Sequence, residues 1–219
     1  MKKVLLVLLA ICLLLTGCKK EENEEKKVTG GWENIVNNKS LINDSELELF
    51  NNAKKDSKLE AVALLAKQVV SGTNYMFLAK DGSKYKIVIV YNDLEGKSSI
   101  TKVSDFDYTK YTNKNIEDNS EELVGGWNVD YVIGEGLIDR DVQSIFENAT
   151  ATLTGMTYSP IALLGKQVVS GTNYAILCFG KPSYDGMKAS VFVVTIYKDL
   201  EENLQILSQA YVNLGEYNQ

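Results

Sequence analysis

The stretch KQVVSGTNY, from Lys67 to Tyr75, occurs a second time without change from Lys166 to Tyr174. In each occurrence β-branched valines precede a Ser-Gly pair, a pattern that is typical of a β-hairpin with its turn at the glycine. A chain of 219 residues that carries the same nine residues twice therefore indicates an internal repeat.

Other matches extend the repeat over most of the chain, and they keep their order. The matched pairs are Gly30-Gly31-Trp32 with Gly125-Gly126-Trp127, Phe50-Asn51-Asn52-Ala53 with Phe146-Glu147-Asn148-Ala149, and Tyr91-Asn92-Asp93-Leu94-Glu95 with Tyr197-Lys198-Asp199-Leu200-Glu201. We therefore predict a tandem duplication, with a first domain at 28–111, a polar linker at 112–123 and a second domain at 124–219.

The beginning of the chain has the features of a secretory signal. Lys2 and Lys3 precede the apolar run Val4–Leu15, which is shorter than the roughly 20 residues of a spanning helix. The sequence Leu15-Thr16-Gly17-Cys18 resembles the lipobox of bacterial lipoproteins. This resemblance implies that residues 1–17 are removed and that acyl chains on Cys18 anchor the protein outside a cell membrane or an outer membrane. An ordinary signal with a chance cysteine is the alternative.

The segment 18–27 is almost entirely charged, so we expect a solvated tether. The whole chain has a formal net charge of −6, which disfavours nucleic acid as a partner.

The chain contains no histidine, so it can form neither a Ser-His or Cys-His pair nor a histidine metal site. It also lacks a Gly-rich phosphate loop and any metal-ligand spacing. We therefore expect no cofactor, no metal and no enzymatic activity; a carboxylate-based enzyme is the alternative. Cys178 lies in the apolar run Ala175–Phe179, and we predict a buried side chain rather than a catalytic thiol.

Hydrophobic periodicity predicts the same elements in both copies. Ile42, Leu49, Phe50 and Ala53 share one helix face, as do Ile138, Val142, Ile145, Phe146 and Ala149. Asp44 or Ser45 would cap the first helix, and Asp139 or Asp141 the second. Strand patterns follow each helix, and the last strand of the first copy is expected at Ser99–Tyr108. The predicted class is α+β, with one helix on an antiparallel sheet of four or five strands in each copy.

The repeated hairpin also resembles a known family. Gln68-Val69-Val70-Ser71-Gly72 is similar to the Gln-x-Val-x-Gly hairpin of cystatins, which inhibit papain-like cysteine proteases. Gly30-Gly31 resembles the N-terminal glycine of that family, and Leu94-Glu95-Gly96 lies where stefins have Leu-Pro-Gly. The chain thus resembles two tandem cystatin-like domains.

The resemblance implies a wedge that fills the cleft of a papain-like cysteine protease. The residues expected to contact the protease come from three segments of each copy: Gly30, Gly31, Gln68, Val69, Val70, Ser71, Gly72, Leu94, Glu95 and Gly96, then Gly125, Gly126, Gln167, Val168, Val169, Ser170, Gly171 and Leu200. On this reading Gly72 lets the backbone approach the cleft, and Gly72→Glu should abolish binding without affecting the fold. A glycine that serves only the turn is the alternative.

The second hairpins depart from the family pattern. Glu95 replaces the expected proline, and Glu202 stands where the first copy has Gly96. We therefore expect the first copy to inhibit better than the second. A cystatin-like binding module without inhibition is the alternative function. A flexible connection between the copies would allow the binding of two proteases, or of one protease with avidity.

Overall fold

The computed structural model describes residues 42–112, 138–185 and 189–218, and the backbone of residues 32–34 and 127–128. The predicted site residues Gly30, Gly31, Gly125 and Gly126, and the predicted lipidation site Cys18, lie outside the described residues.

Each copy consists of one α-helix, one antiparallel sheet and a short 3₁₀ helix. The elements of the first copy are β1 (Trp32–Asn34), α1 (Asp44–Lys54), β2 (Glu60–Val70), β3 (Gly72–Asp81), β4 (Lys84–Asn92), β5 (Ser98–Asp105) and η1 (Tyr108–Tyr111). The elements of the second copy are β6 (Trp127–Asn128), α2 (Arg140–Thr150), β7 (Met156–Val169), β8 (Gly171–Pro182), β9 (Ser190–Lys198), β10 (Leu204–Tyr211) and η2 (Leu214–Tyr217).

Neighbouring strands along the chain are also neighbours in each sheet. The orders are β1-β2-β3-β4-β5 and β10-β9-β8-β7-β6, with antiparallel pairing throughout. Four long strands and one short strand form each sheet. The α+β class, with one helix and one antiparallel sheet in each copy, is confirmed.

The helices begin where side chains accept from free backbone N–H groups. The cap of α1 is Asn43, whose side chain accepts from the Glu46 backbone N–H at 2.9 Å, while Glu46 accepts from the Asn43 backbone N–H at 3.2 Å. The predicted caps Asp44 and Ser45 are therefore wrong by one or two residues, because the reciprocal bonds of a capping box favour Asn43. The predicted cap Asp139 of α2 is confirmed, with its side chain 2.8 Å from the Val142 N–H.

One face of each sheet packs against its own helix. In the first copy Phe50 and Ala53 of α1 lie against Leu64, Phe77 and other apolar residues of the sheet. In the second copy Val142, Ile145 and Phe146 of α2 form the corresponding layer. The predicted helix faces are confirmed at these buried positions.

The opposite faces of the two sheets pack against each other and form one shared core. Its members are buried residues of both copies: Ala63, Leu65, Ala66, Met76, Leu78, Tyr85, Ile87, Ile89, Phe106 and Tyr108, with Ile161, Ala162, Leu164, Ala175, Leu177, Phe179, Val191, Val193, Val212 and Leu214. The layers are therefore helix, sheet, sheet and helix. Separating the two copies would expose this apolar surface to water, so the two sheets stabilise each other.

The last strand of the first sheet is shorter than predicted. β5 ends at Asp105, and the Asp107 side chain accepts from the Thr109 backbone N–H to start η1. Phe106 and Tyr108 were expected to continue the strand, but their side chains are buried in the shared core. Their apolar character thus reflects contact with the other copy.

Candidate functional site

Two hairpin connections lie at the same end of each sheet, which we call the tip end. In the first copy these connections are Ser71, between β2 and β3, and the turn Asp93–Lys97, between β4 and β5. The pairing of Thr73 with Asn92 brings them side by side. β1 begins at Trp32, which pairs with Gln68 close to the same end. The opposite foot end carries the turn between β3 and β4, at Gly82 and Ser83.

The equivalent tip end in the second copy carries Ser170 and the turn Asp199–Asn203. The described members of the predicted site therefore come together at one end of each sheet. They are Gln68, Val69, Val70, Ser71, Gly72, Leu94, Glu95 and Gly96 in the first copy, and Gln167, Val168, Val169, Ser170, Gly171 and Leu200 in the second.

Gly72 is enclosed by the neighbouring hairpin. Its φ of +127° belongs to a region that side chains disfavour. A Cβ at this position would lie 2.6 Å from the Asn92 carbonyl oxygen and 2.8 Å from ring carbon Cε2 of Tyr91. The Tyr91 hydroxyl donates to the Ser71 carbonyl oxygen at 2.5 Å, so this hydrogen bond fixes the position of the tip.

The second copy repeats this arrangement. Gly171 has a φ of +133°, and a Cβ there would meet the Lys198 carbonyl oxygen and lie 2.8 Å from ring carbon Cε2 of Tyr197. The Tyr197 hydroxyl donates to the Ser170 carbonyl oxygen at 2.6 Å. Both glycines are thus required by contacts within the chain. The expectation that Gly72→Glu leaves the fold intact is wrong, because any side chain at this position collides with β4.

Other residues of the repeated stretch also have roles inside the fold. The Asn74 side-chain amide donates to Gln68 Oε1 across the hairpin at 2.7 Å, and Asn173 donates to Gln167 in the same way. Lys67 Nζ lies 2.9 Å from Glu46 of α1 and 5.4 Å from the centroid of the Tyr75 ring. The Lys, Gln, Gly, Asn and Tyr positions of the repeat are therefore explained by local structure.

The Val-Val-Ser positions have no such explanation. Val70 is 37% exposed, and its equivalent Val169 is 42% exposed. Val168 is 58% exposed, whereas Val69 is half-buried. Both serine side chains are on the surface. These residues are identical in the two copies although the fold does not require them, and they are the first part of the candidate site.

The turn of the second hairpin is held by an aspartate in each copy. Asp93 Oδ1 accepts from the backbone N–H groups of Glu95 and Lys97, at 3.0 and 2.8 Å. Asp199 Oδ1 accepts from those of Glu201 and Asn203, at 2.9 and 2.8 Å. Because each aspartate replaces missing backbone partners, the two turns have the same form.

The loss of the glycine does not alter the second turn. Gly96 has a φ of +84°, and Glu202 adopts +69° at the equivalent position, where its carboxylate lies 2.8 Å from Lys198 Nζ. This contact lowers the pKa of the Glu202 carboxyl group. The ranking of the two copies stays a prediction, which now depends on side chains and not on backbone form.

A leucine stands at the apex of each second turn and is almost fully exposed. Leu94 is 85% exposed and Leu200 is 83% exposed. Together with Val70, Val168 and Val169 they give each tip end an apolar surface that no described residue covers. Exposed apolar groups gathered at one site commonly mark a protein-binding surface.

The described residues show neither an activated thiol nor a metal site. Burial raises the pKa of the Cys178 thiol, so this side chain stays protonated in the core. Within residues 42–112, 138–185 and 189–218, no group of three or more Cys, Asp or Glu side chains is placed to hold a metal ion. No described helix is both long and apolar enough to cross a membrane.

Sequence reasoning missed Tyr91 and Tyr197, which hold the tips in place. A signal was present, because both tyrosines occur in the segments that match between the copies. Comparison with protein-family models gives no match for this chain, and comparison with curated proteins gives none either. The candidate site is therefore defined by its own geometry.

Proposed function

We propose that the protein is an inhibitor of papain-like cysteine proteases, with a cystatin-like wedge at each tip end. The observation that carries this proposal is the exposure of Val70, Val169, Leu94 and Leu200 on adjacent hairpins at one end of each sheet. Support also comes from the resemblance of the Gln-Val-Val-Ser-Gly segments to the cystatin hairpin. Two adjacent apolar loops fit a cleft rather than a flat surface.

The tips are suited to binding because they are already ordered. The hydroxyl bonds of Tyr91 and Tyr197 fix the carbonyl groups at Ser71 and Ser170. Valine has few side-chain rotamers. Little conformational entropy is therefore lost when a tip enters a cleft, and rigid inhibitors bind tightly for this reason. The turned backbone also differs from the extended peptide that a protease cleaves, so the tip would block the cleft as a plug.

The proposed location is outside the cell, at a membrane surface. Acyl chains on Cys18 would anchor the protein, and the charged segment 18–27 would hold the wedges away from the lipid. This placement would let the inhibitor meet proteases that approach the cell.

The second candidate function is a cystatin-like binding module that does not inhibit. The acidic side chains of the second turns favour it, since Glu95, Glu201 and Glu202 stand where a cystatin presents less charge. A fold of this kind does not by itself determine function. Binding of a protein partner without loss of papain activity would support this candidate.

The tip residues can be tested with substitutions of valines that have similar exposure. The double variant Val70→Asp/Val169→Asp places a charge on both tips and should weaken the inhibition of papain by at least about 100-fold. Val103→Asp is the matched control, because Val103 is 45% exposed but lies on β5 away from the tip. Inhibition that is equal in both variants would contradict the proposal.

A further inference from the structure

We infer that the two tip ends point away from each other, so that one chain can hold two partner molecules at once. The identity of the partners, papain-like proteases, rests on the proposed function, but the geometry does not. Three groups of contacts between the copies carry the inference, and they relate the foot end of one sheet to the middle of the other.

The first contact joins η1 to the middle of β10. η1 follows the foot end of β5, and the Tyr111 carbonyl oxygen accepts from the Ser208 hydroxyl at 3.3 Å. Ser208 lies near the centre of β10, which spans Leu204–Tyr211. The foot end of the first sheet therefore reaches the second sheet at about half its length, on the β10 side.

The second contact joins the foot of β4 to the middle of β7. The buried Tyr85 hydroxyl donates to the Leu163 carbonyl oxygen at 2.8 Å. Leu163 is midway along β7, which spans Met156–Val169. Since β10 and β7 are separated by two strands, the foot end of the first sheet crosses the middle of the second sheet from one side to the other.

The third group of contacts locates the symmetry axis of the pair. Tyr111 and Tyr217 occupy equivalent positions in the two copies, and their rings lie 6.0 and 6.3 Å from the same Phe106 ring at the foot of β5. An approximate twofold axis therefore passes close to these two tyrosines.

The direction of this axis follows from the contact between Tyr85 and Leu163. An axis parallel to the strands would place foot over foot, and an axis across the strands would place β4 over its equivalent, β9. The structure instead places the foot of β4 over the middle of β7, which is two strands away from β9. The axis therefore runs obliquely to the strands, so that the strands of the two sheets cross at a large angle and the two tip ends diverge.

The tips project beyond the region in which the sheets overlap. The shared core includes Tyr85 and Ile89 of β4 but none of the described residues of the two tip connections, Ser71 and Asp93–Lys97. At about 3.4 Å per residue, the seven steps from Tyr85 to Asn92 span about 24 Å, and the six steps from Leu163 to Val169 span about 20 Å. Because Tyr85 and Leu163 are in contact and the strands cross at a large angle, the two tips should be about 30–35 Å apart. One protease with a single cleft could not reach both.

Distances between spin labels test the geometry without any protease. The chain from Lys19 onward contains every described residue, and its remaining cysteine, Cys178, is buried. Labels on Ser71→Cys and Ser170→Cys should show a distance of about 35 Å by pulsed electron paramagnetic resonance. The matched pair Ser83→Cys and Ser170→Cys joins a foot to the opposite tip and should be shorter. The reverse order of the two distances would overturn the inference.

Light scattering of mixtures with papain tests the consequence. We expect two papain molecules per chain, and one for each of the single variants Val70→Asp and Val169→Asp. A limit of one papain molecule that either tip can bind would overturn the inference. Label distances in the expected order without papain binding would leave the geometry standing and refute the proposed function. Papain binding with the reversed order of distances would support the proposed function and refute the geometry.

Discussion

At the scale of single residues, Tyr91 and Tyr197 connect the fold to the candidate site. Each hydroxyl donates to the carbonyl group of the tip serine, Ser71 or Ser170, while the ring lies beside the tip glycine. The exposed valines at the tip therefore depend on a tyrosine in the next hairpin. This dependence explains why the glycine and the tyrosine occur together in both copies.

Removing the tyrosine hydroxyl groups should loosen the tips while keeping the rings. The double variant Tyr91→Phe/Tyr197→Phe should lower the free energy of unfolding by about 1 kcal/mol per hydrogen bond. It should also increase the rate at which papain dissociates, because a less ordered tip loses more entropy on binding. Tyr184→Phe is the control, since Tyr184 is 76% exposed. Denaturant titration and inhibition kinetics measure the two effects, and equal behaviour of both variants would contradict the role of the hydroxyl groups.

The tip glycine differs from other turn glycines in how closely neighbouring atoms surround it. Gly72→Ala should lower the free energy of unfolding by more than about 2 kcal/mol, because it combines a positive φ with a collision against the Asn92 carbonyl. Gly82→Ala is the matched variant, since Gly82 also has a positive φ but an added Cβ there would meet no atom within 4 Å. The Gly82→Ala variant should lower the free energy of unfolding by about 1 kcal/mol. Equal losses of unfolding free energy in denaturant titrations would show that the structure adjusts around the added methyl group, which would contradict this prediction.

At the scale of elements, the first helix depends on its capping box. Asn43→Ala removes the side-chain acceptor for the Glu46 N–H and should lower the free energy of unfolding by about 1 kcal/mol. Asn52→Ala is the control, because Asn52 lies exposed within α1. Thermal unfolding of the two variants measures the difference. Equal midpoint temperatures for the two variants would mean that water satisfies the Glu46 N–H in place of Asn43.

Most elements could be predicted from the sequence, and the errors have physical causes. The helix faces and the hairpin at Ser71-Gly72 follow from hydrophobic periodicity and from turn residues. The cap Asn43 was missed because three neighbouring polar residues suit this position, and only the hydrogen bonds select one. The second turn looked different in the two copies because the glycine differs, whereas the aspartate determines its form.

At the scale of the whole molecule, the shared core was not predicted although its signal is present. Ile87, Val88, Ile89 and Val90 are all buried, which means that both faces of β4 are covered. Such a continuous apolar run is typical of a strand that lies between two layers. One helix covers only one of these faces. The sequence therefore indicates a second covering layer, but the orientation of the copies depends on side-chain packing between them.

The shared core predicts that a single copy is not stable as a monomer. A fragment with the first copy alone exposes Leu65, Leu78, Ile87 and other buried residues to water. We expect this fragment to self-associate or unfold, while the complete chain stays monomeric and unfolds in one transition. Light scattering and thermal unfolding measure these properties. A monomeric and stable fragment would show that the copies are independent.

The contact between the copies should weaken in alkaline solution. Burial raises the pKa of Tyr108 from 10.0 to about 12. Because the unfolded chain loses this proton first, the stability from a neutral Tyr108 is present below about pH 10 and is lost between about pH 10 and 12. Burial also raises the pKa of Tyr111. Unfolding free energies across this range should fall less steeply for Tyr108→Phe, and identical slopes would contradict this assignment.

The most direct test of the proposed function is a titration of papain with the soluble chain that begins at Lys19. Residual protease activity should fall linearly and reach its end when one inhibitor chain is present for every two papain molecules. That result would establish inhibition and show that both tip ends are active. Full papain activity at high micromolar concentrations of the chain would contradict the account of the tips as protease wedges.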